Sequence, residues 1–319
     1  MKEVNLAIIG CGGIVRNVHV KNLVSVDKLN VKACMDINED AASSVCSMCN
    51  ADYYTTDLDR ILNDNSINAV LIATIPETHV DISIKAAKAG KAIFCEKPTA
   101  DTLENCLKLE TVLEQTGAKY MVGYNYRFNN SVQHVFGHFV PDYSISHIMT
   151  SGEPKGVLHN HLNNYCHAVD LVRFFHGCNP VSVTATGNEA PSNMQNAMGK
   201  MVANIRFENG SISTIVTGSH CASPYFNKWF YKFCDSDSNV AEILNYKKSQ
   251  VTGSVCSTYE DENSYFSGHR KELEMFVASV LDGQPIPITY QDGLWVSLVM
   301  EATRKAYESG REVTIKDLL

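Results

Sequence analysis

The stretch "VNLAIIGCGGIV", residues 4–15, decides the fold. A strand-like apolar run enters Gly10-Cys11-Gly12-Gly13, and the residues that follow have helical character. The first glycine permits a tight turn, and the second lets the backbone approach a pyrophosphate at a helix N-terminus. Val15 stands where such a fingerprint carries a third small residue, so the packing there must accept a larger side chain. Asp36 closes the next predicted strand, 24 positions beyond Gly12. A carboxylate at that place accepts hydrogen bonds from the adenosine ribose hydroxyls. It would repel the extra phosphate of NADP, and "MDINED" (35–40) offers no Arg or Lys to counter it. The pattern predicts NAD rather than NADP. A flavodoxin-like turn without a dinucleotide is the competing reading of the glycines alone.

Outward from this stretch, strand-like runs at 4–9, 30–35, 68–74, 91–96 and 119–124 alternate with amphipathic segments at 78–90 and 101–117. Apolar strands separated by helices imply a parallel sheet covered on both faces. The helix over 101–117 is expected to start from an Asp101 cap and end at Gly117. After residue 124 the rhythm changes. One helix (163–176) precedes strands at 181–187, 199–207, 211–218, 227–234 and 239–245, with an Asn-Gly hairpin turn in "FENGSI". Helices near 268–282 and 291–309 and a short strand at "EVTI" close the chain. The expected fold class is α/β: a Rossmann doubly wound parallel sheet over 1–122, then an α+β domain over 123–319 with an open mixed or antiparallel sheet.

The 319 residues suit about two domains. A net charge of −8 argues against a nucleic-acid or anionic-membrane partner, because phosphate contacts need clustered Lys and Arg. No apolar window is long enough for a membrane helix, and the N-terminus lacks the features of a signal peptide. Eleven cysteines without framework spacing suit reduced thiols, which predicts a cytoplasmic protein. Cys46-x-x-Cys49 is the one tight pair; with no second pair it reads as two helix residues rather than zinc or redox chemistry.

"FCEKPTA" sets Glu96-Lys97-Pro98 at the carboxyl end of the fifth apolar strand, the sheet edge where ligands bind in open α/β folds. Lysine there is a compact charge suited to polarising a hydroxyl or carbonyl oxygen; its bland reading is a solvated turn residue. "HNHLNNYCHAVD" (159–170) carries three histidines. On a helix, Asn163, His167 and Asp170 fall at i, i+4 and i+7 and form one stripe, leaving Val169, Val172 and Phe175 for packing. Imidazole titrates near neutrality and can take the proton of an alcohol as hydride leaves its carbon. Zinc held by His159, His161 and His167 is the competing reading, but their spacing fits no standard zinc pattern, and no metal is expected.

These residues carry a resemblance. Gly-x-Gly after the first strand, "ATIPETH" (73–79), "GKAIFCEKP" (90–98), "GYNYRFN" (123–129), "HAVDLVRFFHG" (167–177) and "DGLWVSLVMEATRKAYESG" (292–310) resemble the glucose-fructose oxidoreductase/inositol dehydrogenase/MocA family. The resemblance implies NAD(P)-linked oxidation or reduction of a sugar, cyclitol or related polyol, with a second domain whose sheet mediates dimer or tetramer contacts. It implies Lys97 as the catalytic lysine and His167 as the acid–base, with Asn163 where the family commonly has Asp. Asn163 cannot ionise, so it orients substrate or His167. The usual glycine run is replaced by Val157, Leu158 and His159, which places His159 and His161 in a substrate loop. The cofactor set is then Gly10, Gly12, Gly13, Ile14, Asp36, Thr74, Pro76, His79, Glu96 and Lys97. The substrate set is Tyr124, Tyr126, Arg127, His161, Asn163 and Asp170. Tyr225, Trp229 and Cys166 are weaker candidates, read as packing residues. Two other functions fit the same residues: redox-neutral cleavage or epimerisation with retained NAD, and a non-catalytic sugar or dinucleotide sensor.

Overall fold

The structure is a computed structural model that describes residues 2–150, 157–187, 200–219 and 228–319, without the side chains of 149, 150, 157–163, 200, 219 and 265. The chain divides into two compact units, residues 1–125 with 268–294, and residues 126–267 with 295–319.

The first unit holds β1 (Val4–Ile9), β2 (Leu29–Met35), β3 (Tyr53–Thr55), β4 (Ala69–Ile72), β5 (Ala92–Glu96) and β6 (Tyr120–Gly123). They form a wholly parallel sheet in the order β3-β2-β1-β4-β5-β6. Every residue of β4, β5 and β6 is buried, as a sheet covered on both faces requires. The helices are α1 (Val20–Leu23), continuing a π-helical turn at Val15–His19, then α2 (Glu39–Cys49), α3 (Leu58–Leu62), α4 (Pro76–Lys88) and α5 (Leu103–Thr116). The strand order reverses between β1 and β4, which puts a ligand crevice at their carboxyl ends. Val15 is wholly buried, so the first turn of that helix packs with the larger side chain in place.

Thr102, not Asp101, caps α5. The Thr102 side chain accepts the N–H of Asn105 at 3.1 Å, while Asp101 accepts the Asn105 side-chain amide at 2.7 Å. A cap must reach the second or third N–H of its helix, and with the helix starting at Leu103 only Thr102 is placed to do so. Residues 268–294 return to the first unit, where the Phe276 ring stands edge-on to Phe94 of β5 with centroids 5.8 Å apart.

The second unit contains α6 (Asn130–Val135), β7 (Tyr143–Thr150), α7 (Val157–His176), β8 (Pro180–Gly187), β9 (Lys200–Phe207) and β10 (Ile212–Ser219). β11 (Trp229–Cys234), β12 (Val240–Leu244), β13 (Lys248–Thr252), β14 (Ser257–Glu260) and β15 (Val313–Thr314) complete it. The strands form a mixed sheet in the order β14-β13-β12-β11-β7-β10-β9-β8-β15, with only β7 and β10 parallel among the described pairs. The Asn-Gly hairpin between β9 and β10 forms as expected, with Gly210 at φ +85°.

The remaining helices, α8 (Ser267–Leu281) and α9 (Tyr290–Ser309), each run from one unit into the other. The strand-like pattern did not reveal β7, the central strand. Its inward residues are Ser144, Ser146 and Ile148, so the buried face is mostly hydroxyl rather than apolar. α7 begins at Val157, six residues before the expected start, so the backbone at His159 and His161 is helical rather than loop. No Gly or Pro interrupts 157–176, and nothing in that run opposes helix.

Candidate active site

Gly10 ends β1 with φ +91°, and a Cβ on it would lie 2.6 Å from the Ala73 carbonyl oxygen. Only glycine allows both that backbone and that approach between β1 and the residue after β4. At Gly12 an added Cβ would meet nothing within 4 Å, so the space beside the turn is open and the bare backbone can be approached by a phosphate. Asp36 braces this turn: its Oδ2 accepts the Cys11 N–H at 2.7 Å, and its Oδ1 accepts the Asn38 N–H at 2.9 Å. The carboxylate thus stands partly exposed beside the glycine turn with both oxygens oriented. Gly13 and Ile14 continue the turn, and Ile14 is exposed. These residues fit a dinucleotide.

Thr74 and Pro76 follow β4, with Pro76 in the first turn of α4. His79, on α4, is buried with Nδ1 2.8 Å from the Pro98 carbonyl and Nε2 3.2 Å from the Thr74 carbonyl. Carbonyls only accept, so both ring nitrogens donate and the ring is an imidazolium. Burial works against that charge, but the Cys95 sulfur and the two carbonyls outweigh it and raise the pKa to about 9. His79 therefore stitches the end of β4 to the turn after β5.

Glu96 ends β5, and the turn holds half-buried Lys97 and Pro98, with a cis Lys97–Pro98 bond. Glu96 lies in a polar cluster inside the first unit. Its Oε1 is 2.6 Å from Nε2 of the wholly buried His19, and its Oε2 accepts the Lys97 N–H at 3.2 Å. Burial alone would raise the Glu96 pKa; His19, Lys97 and His269 reverse this and lower it to about 2. Glu272 of α8 is fully buried nearby, and burial plus the Glu96 charge push its pKa well up.

In the second unit, His167 of α7 is buried against aromatic rings. Its ring centroid lies 4.7 Å from Tyr126 and 6.1 Å from Trp229. Tyr126 stacks on Tyr246 at 3.7 Å. Three residues beyond His167, Asp170 takes a bidentate ion pair from Arg127, with Nη2–Oδ1 at 2.6 Å and Nε–Oδ2 at 3.0 Å, both side chains buried. Val169, Val172 and Phe175 are core residues, as the helical stripe implied, and so are Cys166 and Trp229. Tyr124, in the first unit, is also buried. The side chains of His159, His161 and Asn163, and Tyr225 entirely, lie outside the described residues. Among the described residues no group of three or more His, Cys, Asp or Glu is arranged to hold a metal ion, and no helix is long and apolar enough to cross a membrane.

Sequence reasoning did not single out two aliphatic side chains at the crevice edge. Ile37, directly after Asp36, is 91% exposed, and Ile75, between Thr74 and Pro76, is 62% exposed. Apolar residues that project into water at a strand's carboxyl end are a signal readable only once the edge is known. His19 and Glu272 were missed for a related reason: 77 and 176 positions separate them from Glu96, and no periodicity links them.

Comparison with known proteins gives the lineage. Residues 4–124 match the family described as "Oxidoreductase family, NAD-binding Rossmann fold". Myo-inositol 2-dehydrogenase of Thermotoga maritima is 23% identical over 98% of this chain and 99% of its own length. Inositol 2-dehydrogenase of Rhizobium meliloti is 26% identical over 98% of this chain and 99% of its own. The crystal structure of scyllo-inositol dehydrogenase from Lactobacillus casei, with NAD(H) and scyllo-inositol bound, has a TM-score of 0.82 at 19% identity. The match covers 99% of this chain and 100% of that one, a likeness of fold. Residues 4–124 thus carry the NAD-binding Rossmann fold of the Gfo/Idh/MocA oxidoreductase family, and the chain as a whole is similar to inositol dehydrogenases along nearly its full length.

Proposed function

We propose that the protein is an NAD-dependent dehydrogenase that moves hydride between nicotinamide and a secondary alcohol of a sugar, cyclitol or related polyol. The observation that carries this reading is Lys97 on the turn after β5, in a unit whose glycine turn and Asp36 carboxylate fit a dinucleotide. The two inositol dehydrogenases that align over 98% of the chain support the substrate class.

Bound NAD supplies the hydride acceptor. Lys97 holds the reacting oxygen by its ammonium group, and His167 takes the hydroxyl proton. The Tyr126 and Trp229 rings pack against His167 and hold its imidazole in place. Asn163 orients the substrate by hydrogen bonding without ionising, with His161 and Tyr124 as further substrate contacts. The Arg127–Asp170 pair fixes the α7 backbone that carries His167. Asp36 accepts the ribose hydroxyls and disfavours NADP, and Ile37 and Ile75 give apolar faces to the adenine. The first unit is then the nucleotide half and the second the substrate half. We further read the protein as a cytoplasmic homo-oligomer that associates through the nine-stranded sheet.

The test is a panel of inositols, sugars, sugar acids and nucleotide sugars, offered with NAD and separately with NADP and followed by NADH or NADPH absorbance. The reading predicts NADH formation with at least one member and a preference for NAD. Substrate consumption with no net NADH would replace it by redox-neutral use of retained NAD. NAD binding without turnover across the panel would mark a sensor.

A further inference from the structure

Tyr246 is a wholly buried aromatic residue at the tip of a hairpin, in backbone that favours glycine. β12 and β13 are joined by a tight turn that closes with the Lys247 N–H donating to the Leu244 carbonyl at 3.0 Å. Its two central residues, Asn245 and Tyr246, have φ +51° and +57°. Turns with both central residues left-handed are ordinarily built from Asn-Gly, because Asn tolerates the conformation and glycine has no Cβ to clash. Asn245 meets that rule and Tyr246 breaks it. A bulky side chain stays in this region only where its surroundings hold it there. Hairpin tips also usually lie at the surface, whereas the Tyr246 side chain is shut away from water.

Those surroundings lead to His167, all within the second unit. The Tyr246 ring stacks face to face on Tyr126, with centroids 3.7 Å apart and planes 9° from parallel. Tyr126 lies 4.7 Å from the His167 imidazole, and Trp229 stands 5.4 Å from Tyr246 and 6.1 Å from His167. The turn is pinned to the same tryptophan. The Asn245 N–H donates to the Trp229 carbonyl at 2.8 Å, and the Asn245 side-chain oxygen accepts the Trp229 N–H at 3.1 Å. The Tyr246 and Tyr231 hydroxyls lie 2.6 Å apart, and the Ser264 hydroxyl donates to the Tyr246 carbonyl. Backbone and phenol are both fixed, so the plane of the Tyr246 ring is set.

We propose that Tyr246 is a positioning residue for the proton chemistry, which sets the Tyr126 ring and, through it, the orientation of the His167 imidazole. This role rests on His167 taking the hydroxyl proton. A base works only within hydrogen-bonding reach of the proton it removes, so a small rotation of the imidazole lowers turnover. NAD binding, which belongs to the first unit, does not depend on that rotation. Glycine at position 246 would suit the backbone but withdraw the ring that stacks on Tyr126.

The test compares Tyr246→Gly, Tyr246→Leu, Tyr246→Phe and His167→Ala with wild type in the full-length protein, using the polyol that the panel identifies. Glycine fits the left-handed turn, and leucine keeps buried apolar volume without a ring to stack. Both should lower kcat by about 10- to 10²-fold, the scale that a misplacement of about 1 Å carries. KM for the polyol should change less than kcat, and NAD affinity from calorimetric titration should stay at the wild-type value. Tyr246→Phe keeps the stacked ring and should restore most of the lost kcat. Rates are taken below the lowest Tm, and leucine carries the comparison should the glycine variant not fold. A crystal structure of the leucine variant should show the Tyr126 and His167 rings displaced. Unmoved rings would overturn the proposal, as would a loss in Tyr246→Phe equal to that in Tyr246→Leu. Turnover lost in His167→Ala but kept at the wild-type level in the glycine and leucine variants would overturn the positioning role alone. Wild-type kcat in His167→Ala would refute the proton role of His167 and the role of Tyr246 with it.

Discussion

His19 Nε2 and Glu96 Oε1 lie 2.6 Å apart inside the first unit, and this buried contact supports the residue immediately before Lys97. With the Glu96 pKa at about 2 against an ordinary 4.5, the folded state favours the carboxylate. Stability from Glu96 is therefore fully present above pH 4.5 and is lost as pH falls toward 2. His19→Ala leaves the buried carboxylate without its main partner. Removing one member of a buried pair costs about 3–5 kcal/mol. A clear drop in Tm at neutral pH is expected, measured by calorimetry, and an unchanged Tm would show that the pair does not hold the strand end.

Asp170 and Arg127 form the second buried pair, three residues from His167. Asp170→Asn keeps the shape but removes the charge that compensates the guanidinium. We expect a loss of about 3–5 kcal/mol in denaturant unfolding, and a fall in kcat from displacement of His167. Asp170→Asn with wild-type stability would remove the anchoring role.

His176, at the end of α7, is buried with Nε2 2.9 Å from Ser144 and Nδ1 2.7 Å from Ser211, and the Asp142 charge acts on it in the opposite direction to burial. Burial pushes its pKa from 6.5 to about 4. A neutral histidine in the fold must be protonated on unfolding below pH 6.5, so stability declines as pH drops from 6.5 toward 4. His176→Gln should flatten that part of the Tm–pH curve while leaving the fall associated with Glu96 below pH 4.5 in place. A curve parallel to the wild type would assign the decline to other groups.

Asp36 faces the glycine turn with an oriented carboxylate. Hydrogen bonds to a charged group contribute about 1.5–3 kcal/mol, so Asp36→Ala should weaken NAD binding by roughly 10- to 100-fold. NADP should be affected less, narrowing the preference. Calorimetric titration of both dinucleotides checks this. Equal weakening of the two would mean that Asp36 does not discriminate.

Much of this architecture was legible in the sequence, and the gaps have physical causes. Gly10, Gly12 and Asp36 announce the Rossmann unit because turn, phosphate approach and ribose recognition each need a particular residue type at a fixed place. β7 was hidden because Ser144 and Ser146 on its inward face are polar, so the strand lacks the alternating apolar pattern; Ser144 meets His176 and Ser213 rather than an apolar neighbour. The start of α7 was placed six residues late because the polar run His159-Asn160-His161 carries no apolar helical stripe, although nothing in it opposes a helix. His19 and Glu272 were invisible because they act through contacts made only after folding. The return of 268–294 to the first unit leaves no mark in composition.

The central claim is that Lys97 serves the chemistry rather than the cofactor. Its most direct test compares Lys97→Ala with wild type, using the polyol that the panel identifies. Steady-state NADH formation is read beside NAD affinity from calorimetric titration. Loss of a group that acts on the reacting oxygen or its proton lowers kcat by about 10²- to 10⁴-fold, and the account predicts that fall with NAD affinity largely intact. Wild-type kcat in Lys97→Ala would contradict it.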